Sequence, residues 1–404
     1  MKDSTFSKYQ IFLIVILTIL QFTVVLSYAV ISPLGDMMMK DLNIDTAQFG
    51  LLISGYAFGA CISGVLAASF ADKYDRKTFL LFFYVGFLIG LFLCSMARSY
   101  SLLLLARTVT GVFGGVINSI ALAIVADSFA LNQRGRVMGF IQMAFSVSQI
   151  LGIPVGLVIA NKWGWNSTFM VIALVSIITG LVIKLKMNPI NKHIGKKNNI
   201  NPLNHLWRIL TNKKYSSGFA LITLVSLGGA MIMPFSASFL INNIHISQIE
   251  LPIFYLVSGF ASIFIMIYVG KLSDIYPQKN VFFVGAVLTI SMILIFTNLG
   301  PQPLWLVTLI NIVLLTGING RAIPAMALNT AVPSAEDRGG YMSLCSAYQQ
   351  LANGIGALSA GIIIIQEDKN APLENFNLVG LVVCLAAIIC VFLIQNVAKQ
   401  ISTE

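Results

Sequence analysis

The chain has little charge. Of its 404 residues only 10% are Asp, Glu, Lys or Arg, against about a quarter in an ordinary soluble domain. Acids are the rarer sign, 15 against 25 Lys and Arg, and none falls in the middle of a long apolar run. Histidine occurs three times, as His193, His205 and His245, each in a polar stretch. The five cysteines, Cys61, Cys94, Cys345, Cys384 and Cys390, all fall inside apolar runs. They read as small packers and form neither a disulfide framework nor a metal pattern. No G-x-x-x-x-G-K-[ST] phosphate loop occurs, and no nucleophile–base–acid constellation is apparent. These absences argue against an enzyme and against an ATP-driven pump. No cofactor and no metal site is expected.

What the chain does have is apolar length. Hydrophobic residues make up 57% of it. Runs of about 20 residues, enough to cross a ~30 Å hydrocarbon layer, recur from end to end. Twelve are read, at 11–33, 47–70, 78–97, 102–127, 137–160, 168–187, 216–242, 251–270, 280–298, 304–330, 340–365 and 376–397. Several are interrupted by Gly or Pro, which packed and tilted membrane helices tolerate. The expected fold class is an all-α polytopic membrane protein with twelve transmembrane helices. The first run is longer than the roughly 7–15 residues of a signal-peptide core and lacks a small-residue cleavage site. It is expected to be retained.

Lysine and arginine set the orientation. With the N-terminus inside, the outer loops hold only Lys40, Arg98, Lys162 and Lys369, two further arginines lie within runs, and nineteen Lys and Arg fall on the inner side. That asymmetry follows the positive-inside rule. It predicts a multi-pass protein of the plasma membrane, here a bacterial inner membrane, with both termini cytoplasmic. The net charge of +10 then reports topology and contact with anionic lipid headgroups. Nucleic acid is not an expected partner.

A polar stretch at 188–215, rich in Lys and Asn, divides the chain, with six runs on each side. The halves repeat. "ADKYDRKTF" after run 2 corresponds to "SDIYPQKNVF" after run 8, which sets Asp72 opposite Asp274. "TGVFGGVINSIAL" in run 4 lies against "TGINGRAIPAMAL" in run 10, and "RGRVMG" answers "RGGYMS". The offset stays between 202 and 206 residues in all three. Three matches in register indicate two homologous six-helix bundles, at 1–187 and 216–404, joined by a cytoplasmic linker at 188–215.

At these points the sequence resembles the major facilitator superfamily, over essentially its whole length. The family's Gly-x-Leu-Ala-Asp-Arg-x-Gly-Arg-Lys signature appears as "ASFADKYDRK", with Asp72, Arg76 and Lys77 matching and Ala68 and Asp75 in place of the glycines. "GKLSDIYPQK" keeps Gly270, Leu272 and Asp274, and "RTVTG" supplies the family's buried Arg107 and the following Gly111. "GIPVG" (Gly152, Pro154, Gly156) and "WGWNSTF" are similar to the drug and metabolite efflux branch, the arabinose-efflux-permease-like group.

The resemblance implies a secondary transporter working by alternating access, a monomer, with a small-molecule substrate and protons as a candidate coupling ion. It implies a cytoplasmic gate of Asp72, Arg76 and Lys77 with Asp127, Arg134, Arg136 and, in the second half, Asp274. Such a latch would close when the protein opens outward and break when it opens inward. Asp72 is expected at the start of the third helix, where a carboxylate suits the helix dipole. Helices 1, 4, 7 and 10, with 2, 5, 8 and 11, are expected to line the cavity, and 3, 6, 9 and 12 to face lipid. Polar residues follow that division: Gln21 and Tyr28 on helix 1, Asn118 on helix 4, Gln142 and Gln149 on helix 5, Asn319 on helix 10, and Tyr348, Gln349 and Asn353 on helix 11. Individually a Ser or Asn reads better as an interhelical packing bond, while the collective bias toward these helices favours a hydrated path.

A buried arginine costs about 3 kcal/mol or more on insertion scales, so two positions require reasons. Arg107 matches the family's motif arginine, which implies proton coupling or bonding to helix 1 at Gln21 or Ser27. Arg321 aligns with Gly115, near mid-depth, and reads either as a clamp for a carboxylate or phosphate or as a structural contact. Without a mid-membrane acid, Asp36 is a candidate coupling residue. Efflux of a small organic or amphiphilic solute is the leading expectation. Uptake or exchange of an anionic metabolite through Arg321 is the alternative, and a transport-dead sensor or scaffold a remote one.

Overall fold

The computed structural model describes residues 6–68, 74–191, 202–334 and 336–402. Helix α1 (Lys8–Ala29) leads through the short α2 (Gly35–Leu42) to α3 (Thr46–Ala68), α4 (Arg76–Met96) and α5 (Tyr100–Ser128). α6 (Leu131–Val147), a π-helical turn (Ser148–Gly152) and α7 (Ile153–Trp163) make one continuous pass, followed by α8 (Trp165–Lys186). α9 (Pro202–Thr211) precedes the second set: α10 (Lys213–Asn242), α11 (Leu251–Ile275), α12 (Gln278–Phe296), α13 (Leu304–Ala331), α14 (Arg338–Ile363) and α15 (Phe376–Ser402).

Short polar residues start several of these helices. Ser7 and Gln10 form a capping box on α1, and Ser99 and Asn212 cap α5 and α10. Each satisfies a backbone N–H that the helix leaves open. At α4 the cap is Asp75, which accepts from the Thr78 amide. The helix begins four residues later than its motif suggests, and Asp72 lies outside the described residues. The π turn precedes Pro154. Proline lacks an N–H and crowds the carbonyl four residues back, and a widened turn takes up that mismatch.

Eleven described helical passes are long and apolar enough to cross a membrane. The twelfth is α14, where Tyr348, Gln349, Gln350 and Asn353 dilute the hydropathy. It packs between α3 and α10. The two six-helix sets pack alike: α1 on α6 corresponds to α10 on α14, α3 on α5 to α11 on α13, α4 on α5 to α12 on α13, and α4 on α8 to α12 on α15. α4, α8, α12 and α15 expose large apolar side chains such as Phe82, Ile89, Ile178, Phe283, Leu385 and Phe392, which suit hydrocarbon. These are passes 3, 6, 9 and 12.

Between the halves, α3 packs on α14, and α11 packs on the π turn and α7. The backbones approach closely at glycines. A Cβ on Gly361 would lie 2.5 Å from the Thr46 carbonyl oxygen, and one on Gly50 would lie 2.6 Å from that of Ala357. One apolar core fills the first half and continues into the second through Phe235, Phe239, Phe254 and Phe376, at the end far from the termini. The terminal end of the second half has its own core, around Tyr215, Phe219, Phe282 and Tyr341. The halves are thus joined at the far end and divided at the terminal end.

Candidate transport pathway

The polar bonds that join the halves cluster at the far end. Thr46 Oγ1 donates to the Ile364 carbonyl at 2.6 Å, and Ser54 Oγ to that of Gly354 at 2.6 Å. The Asn161 amide donates to the Gln248 carbonyl at 3.1 Å, and the Ser32 hydroxyl donates to the Met233 carbonyl. Asp36, 1% exposed, is the buried charge of this seal, and Lys40 Nζ also donates across it to Asn242 Oδ1 at 3.4 Å. Asp36 Oδ1 accepts from Asn242 Nδ2 at 2.7 Å, and its Oδ2 accepts from Gln248 Nε2 at 3.0 Å and faces Lys40 Nζ at 2.9 Å. Two of those partners belong to the other half. Charge-assisted bonds of this kind are the strong ones.

Below the seal, Arg107 is fully buried in the first half. Its Nη1 donates to the Ser27 carbonyl of α1 at 3.0 Å. The guanidinium lies over the Tyr56 ring at 4.7 Å, and that ring is 5.3 Å from Tyr28. Among the described residues Nε and Nη2 have no partner, nor has the buried Gln21 Oε1. No described carboxylate pairs with Arg107, so the aromatic face carries part of the compensation.

Arg321 is held differently. It is 4% exposed and its side chain lies beside Cys390 and Cys384 of α15, with Nε unpartnered. α15 packs on α10 and α12, within the second half.

The terminal-face charges divide into separate tasks. Arg76 Nε donates to Asp127 Oδ2 at 3.1 Å, tying α4 to the end of α5. Both residues belong to the first half, so the pair stays formed here, where the far end is sealed. Arg134 donates to the carbonyls of Ala126 and Phe129 at the end of α5. Arg136 stacks over Phe6 at 5.0 Å. Lys77 is half-buried on the first turn of α4, and Asp274 is exposed at the end of α11.

The neutral polar residues have several different surroundings. Gln142 is exposed, and Gln149, two turns on, brings its carbonyl against Gly259 of α11. On α14, Asn353 donates to Gln350 at 3.2 Å, and Gln350 shares a flank with Gly354 and Gly361, which meet α3. Tyr348 instead stacks on Phe219 of α10 at 5.0 Å. Asn319 bonds the Leu315 carbonyl of its own helix. Gln349, Asn118 and Tyr28 are half-buried.

Residues 17–357 and 218–402 match the Major Facilitator Superfamily. The chain belongs to the major facilitator superfamily. Its members are secondary transporters of small molecules, and this one is a multi-pass membrane protein of that kind. It is 26% identical over 386 residues, 95% of each chain, to the MFS-type transporter YbcL of Bacillus subtilis. It is 25% identical over 335 residues to YtbD of the same organism, covering 81% of this chain and 82% of that one. Its fold is similar to a bacterial homologue of the human lysosomal transporter Spinster in an inward-facing, unoccupied conformation, with a TM-score of 0.80 at 16% identity over 99% of both chains.

One cluster of this superfamily member escapes the sequence reading. Asp337, at the head of α14, accepts from Tyr215 Oη at 2.8 Å and from Arg208 Nη2 at 2.9 Å, with His205 Nε2 at 3.8 Å. The polar linker contains an amphipathic helix, α9, whose Leu206 and Ile209 bury against Gly340. The Leu-x-x-Leu-x-x-Ile spacing at 203–209 is the signal for it.

Proposed function

We propose that this transporter exports a small, uncharged or weakly basic amphiphilic compound across the bacterial plasma membrane by alternating access. The observation that carries the reading is the direction of the two buried arginines. Arg107 is turned to α1 and Tyr56, and Arg321 to α15. Apart from the Asp36–Lys40 seal at the far end, the polar groups described above toward the other half are neutral amides and hydroxyls among apolar side chains, which suit a solute recognised by apolar area and a few hydrogen bonds. The Lys and Arg asymmetry supports a cytoplasmic terminal face, so that the solute enters from the cytoplasm. Residues 1–187 and 216–404 act as the two moving bodies, with 188–215 as their tether. The "GIPVG" and "WGWNSTF" resemblance supports the export direction.

Anion uptake or exchange is the second reading, favoured by the unpartnered N–H groups of Arg107 and Arg321. Flux into proteoliposomes, measured for a panel of neutral, basic and anionic compounds with and without a pH gradient, separates the two. The export reading expects saturable flux of neutral or basic compounds, with KM within about twofold of wild type in Arg321→Met. The anion reading expects KM to rise at least about thirtyfold in that variant, the effect of removing one partner of a buried charge pair.

A further inference from the structure

α11, the eighth pass, has three distinct flanks. On the first, Ser258 Oγ accepts from Asn311 Nδ2 of α13 at 2.9 Å, and Val269, three turns on, is buried. On the second, Gly259 meets Gln149 and Ile150 of the first half. The third carries Phe260, Phe264, Ile267, Tyr268 and Lys271, all exposed. Their spacing of four, three, one and three residues keeps them on one side of the helix. That side turns away from the first half. α11 and α12 both pack on α13 and make little contact with each other. Along this side lies a groove of about 440 Å³, to which α13 contributes Thr316, within the roughly 300–1,000 Å³ of ligand clefts. Its α11 wall is apolar from Phe264 to Val269, and Lys271 stands at the end nearer the chain termini. The Thr316 hydroxyl bonds the Ile312 carbonyl of its own helix at 2.9 Å, so the groove asks for apolar filling.

We propose that this groove holds one acyl chain of an anionic glycerophospholipid from the terminal-side leaflet, with the lipid phosphate at Lys271. Phe264 is midway along the 25 residues of α11. Lys271 lies seven residues further toward the terminal face, about 10 Å along a helix. That covers most of the ~15 Å of hydrocarbon in one leaflet. The groove is thus apolar at the depth of acyl chains and cationic where headgroups begin. Tyr268 and Tyr276, both exposed, flank that boundary, where aromatic side chains with a polar tip are favoured. Lys271 has no ion pair among the described residues, although Asp274 is one turn on. Lys279, in the first turn of α12, adds a second cation at the same end. Free phosphate would meet the lysine and leave the apolar wall unused. A transported solute uses the second flank, toward the first half.

The orientation proposed above makes this the cytoplasmic leaflet, but the test reads the site alone. The full chain, stripped of lipid in detergent, is titrated with phosphatidylglycerol and phosphatidylethanolamine of identical chains, and bound lipid is counted by native mass spectrometry. One phosphatidylglycerol should bind about fivefold tighter than phosphatidylethanolamine, the effect of one cation facing a net negative headgroup. Lys271→Gln should remove that preference and leave phosphatidylethanolamine binding unchanged. Lys186→Gln, exposed at the end of α8, should keep it, which separates the site from general surface charge. Thr316→Phe, which fills the groove, should weaken both lipids. In the native sequence, phosphatidylglycerol with a diazirine midway along one chain should crosslink within 264–268. Glycerophosphoglycerol, the headgroup without chains, should not displace the lipid. A preference that survives Lys271→Gln overturns the proposal, as do crosslinks confined to other passes or displacement by the bare headgroup. A lipid-free dimer would place a second copy in the groove and overturn it as well. Transport enters none of these readouts, so failure here leaves the export reading standing, and failure of that reading leaves this site.

Discussion

Arg107 and Arg321 are both buried cations without a described carboxylate partner, and they ask for different tests. Arg107 grips α1 through one backbone carbonyl and rests on Tyr56, with two of its nitrogens, Nε and Nη2, unpartnered among the described residues. Replacing an unpaired buried charge by an apolar chain of similar length is often neutral or stabilising. Arg107→Met should therefore leave the melting temperature unchanged or higher while transport falls about tenfold or more. A fall of several degrees alongside the lost transport would make the residue structural. The sequence assigns each arginine a depth, because depth follows from position along a helix. It did not show which flank each faces, since that depends on neighbours such as Cys390 and Tyr56 that belong to other helices. The same limit hid the partners of Asp36, one of which is 206 residues away.

At the scale of elements, the passes were legible from apolar length, and the Pro154 distortion from a single residue type. The sequence reading did not find α2 or α9, whose short amphipathic patterns are easily taken for loop. The Asp337 cluster that holds α9 makes a pH prediction. Burial pushes the Asp337 carboxyl up, but the Tyr215 hydroxyl, the Arg208 guanidinium and His205 outweigh it and hold the group below its usual value. A depressed carboxyl adds stability above its unfolded value of about 3.9 and loses it as pH falls through the folded one. Asp337→Asn should cost about 1 kcal/mol at neutral pH, seen as a lower melting temperature. That gap should stay constant down to about pH 5 and close below about pH 4. A second prediction concerns the α3–α14 contact. A valine at Gly361 cannot fit against the Thr46 carbonyl without moving it, so Gly361→Val should populate the state open at the far end. Spin labels at Arg98→Cys and Asn298→Cys, exposed loop positions of the two halves, with the five native cysteines replaced by serine or alanine, would read this by pulsed electron resonance as a growing long-distance component at neutral pH, and an unchanged distance would contradict it.

For the whole molecule, the account is an alternating pathway between two similar bundles, sealed at the far end by Asp36, Thr46, Ser54 and the glycine contacts, and entered from the terminal face. The repeat made the two bundles legible because three motifs kept offsets of 202 to 206 residues; the state of the seal was not legible, since it depends on contacts between the halves. Gln142, exposed on α6 two turns before the Gln149 carbonyl that meets Gly259 of α11, is suited to report access to that pathway. In the cysteine-free background, a cysteine at Gln142 can be challenged with a membrane-impermeant maleimide from either side of right-side-out and inside-out vesicles. The account predicts fast labelling from the cytoplasmic face, slowed by a transported solute. Labelling from the outer face should be slow and should speed up when Gly361→Val is added. Labelling that is fast from the outer face in the otherwise native protein, and indifferent to Gly361→Val, would contradict it.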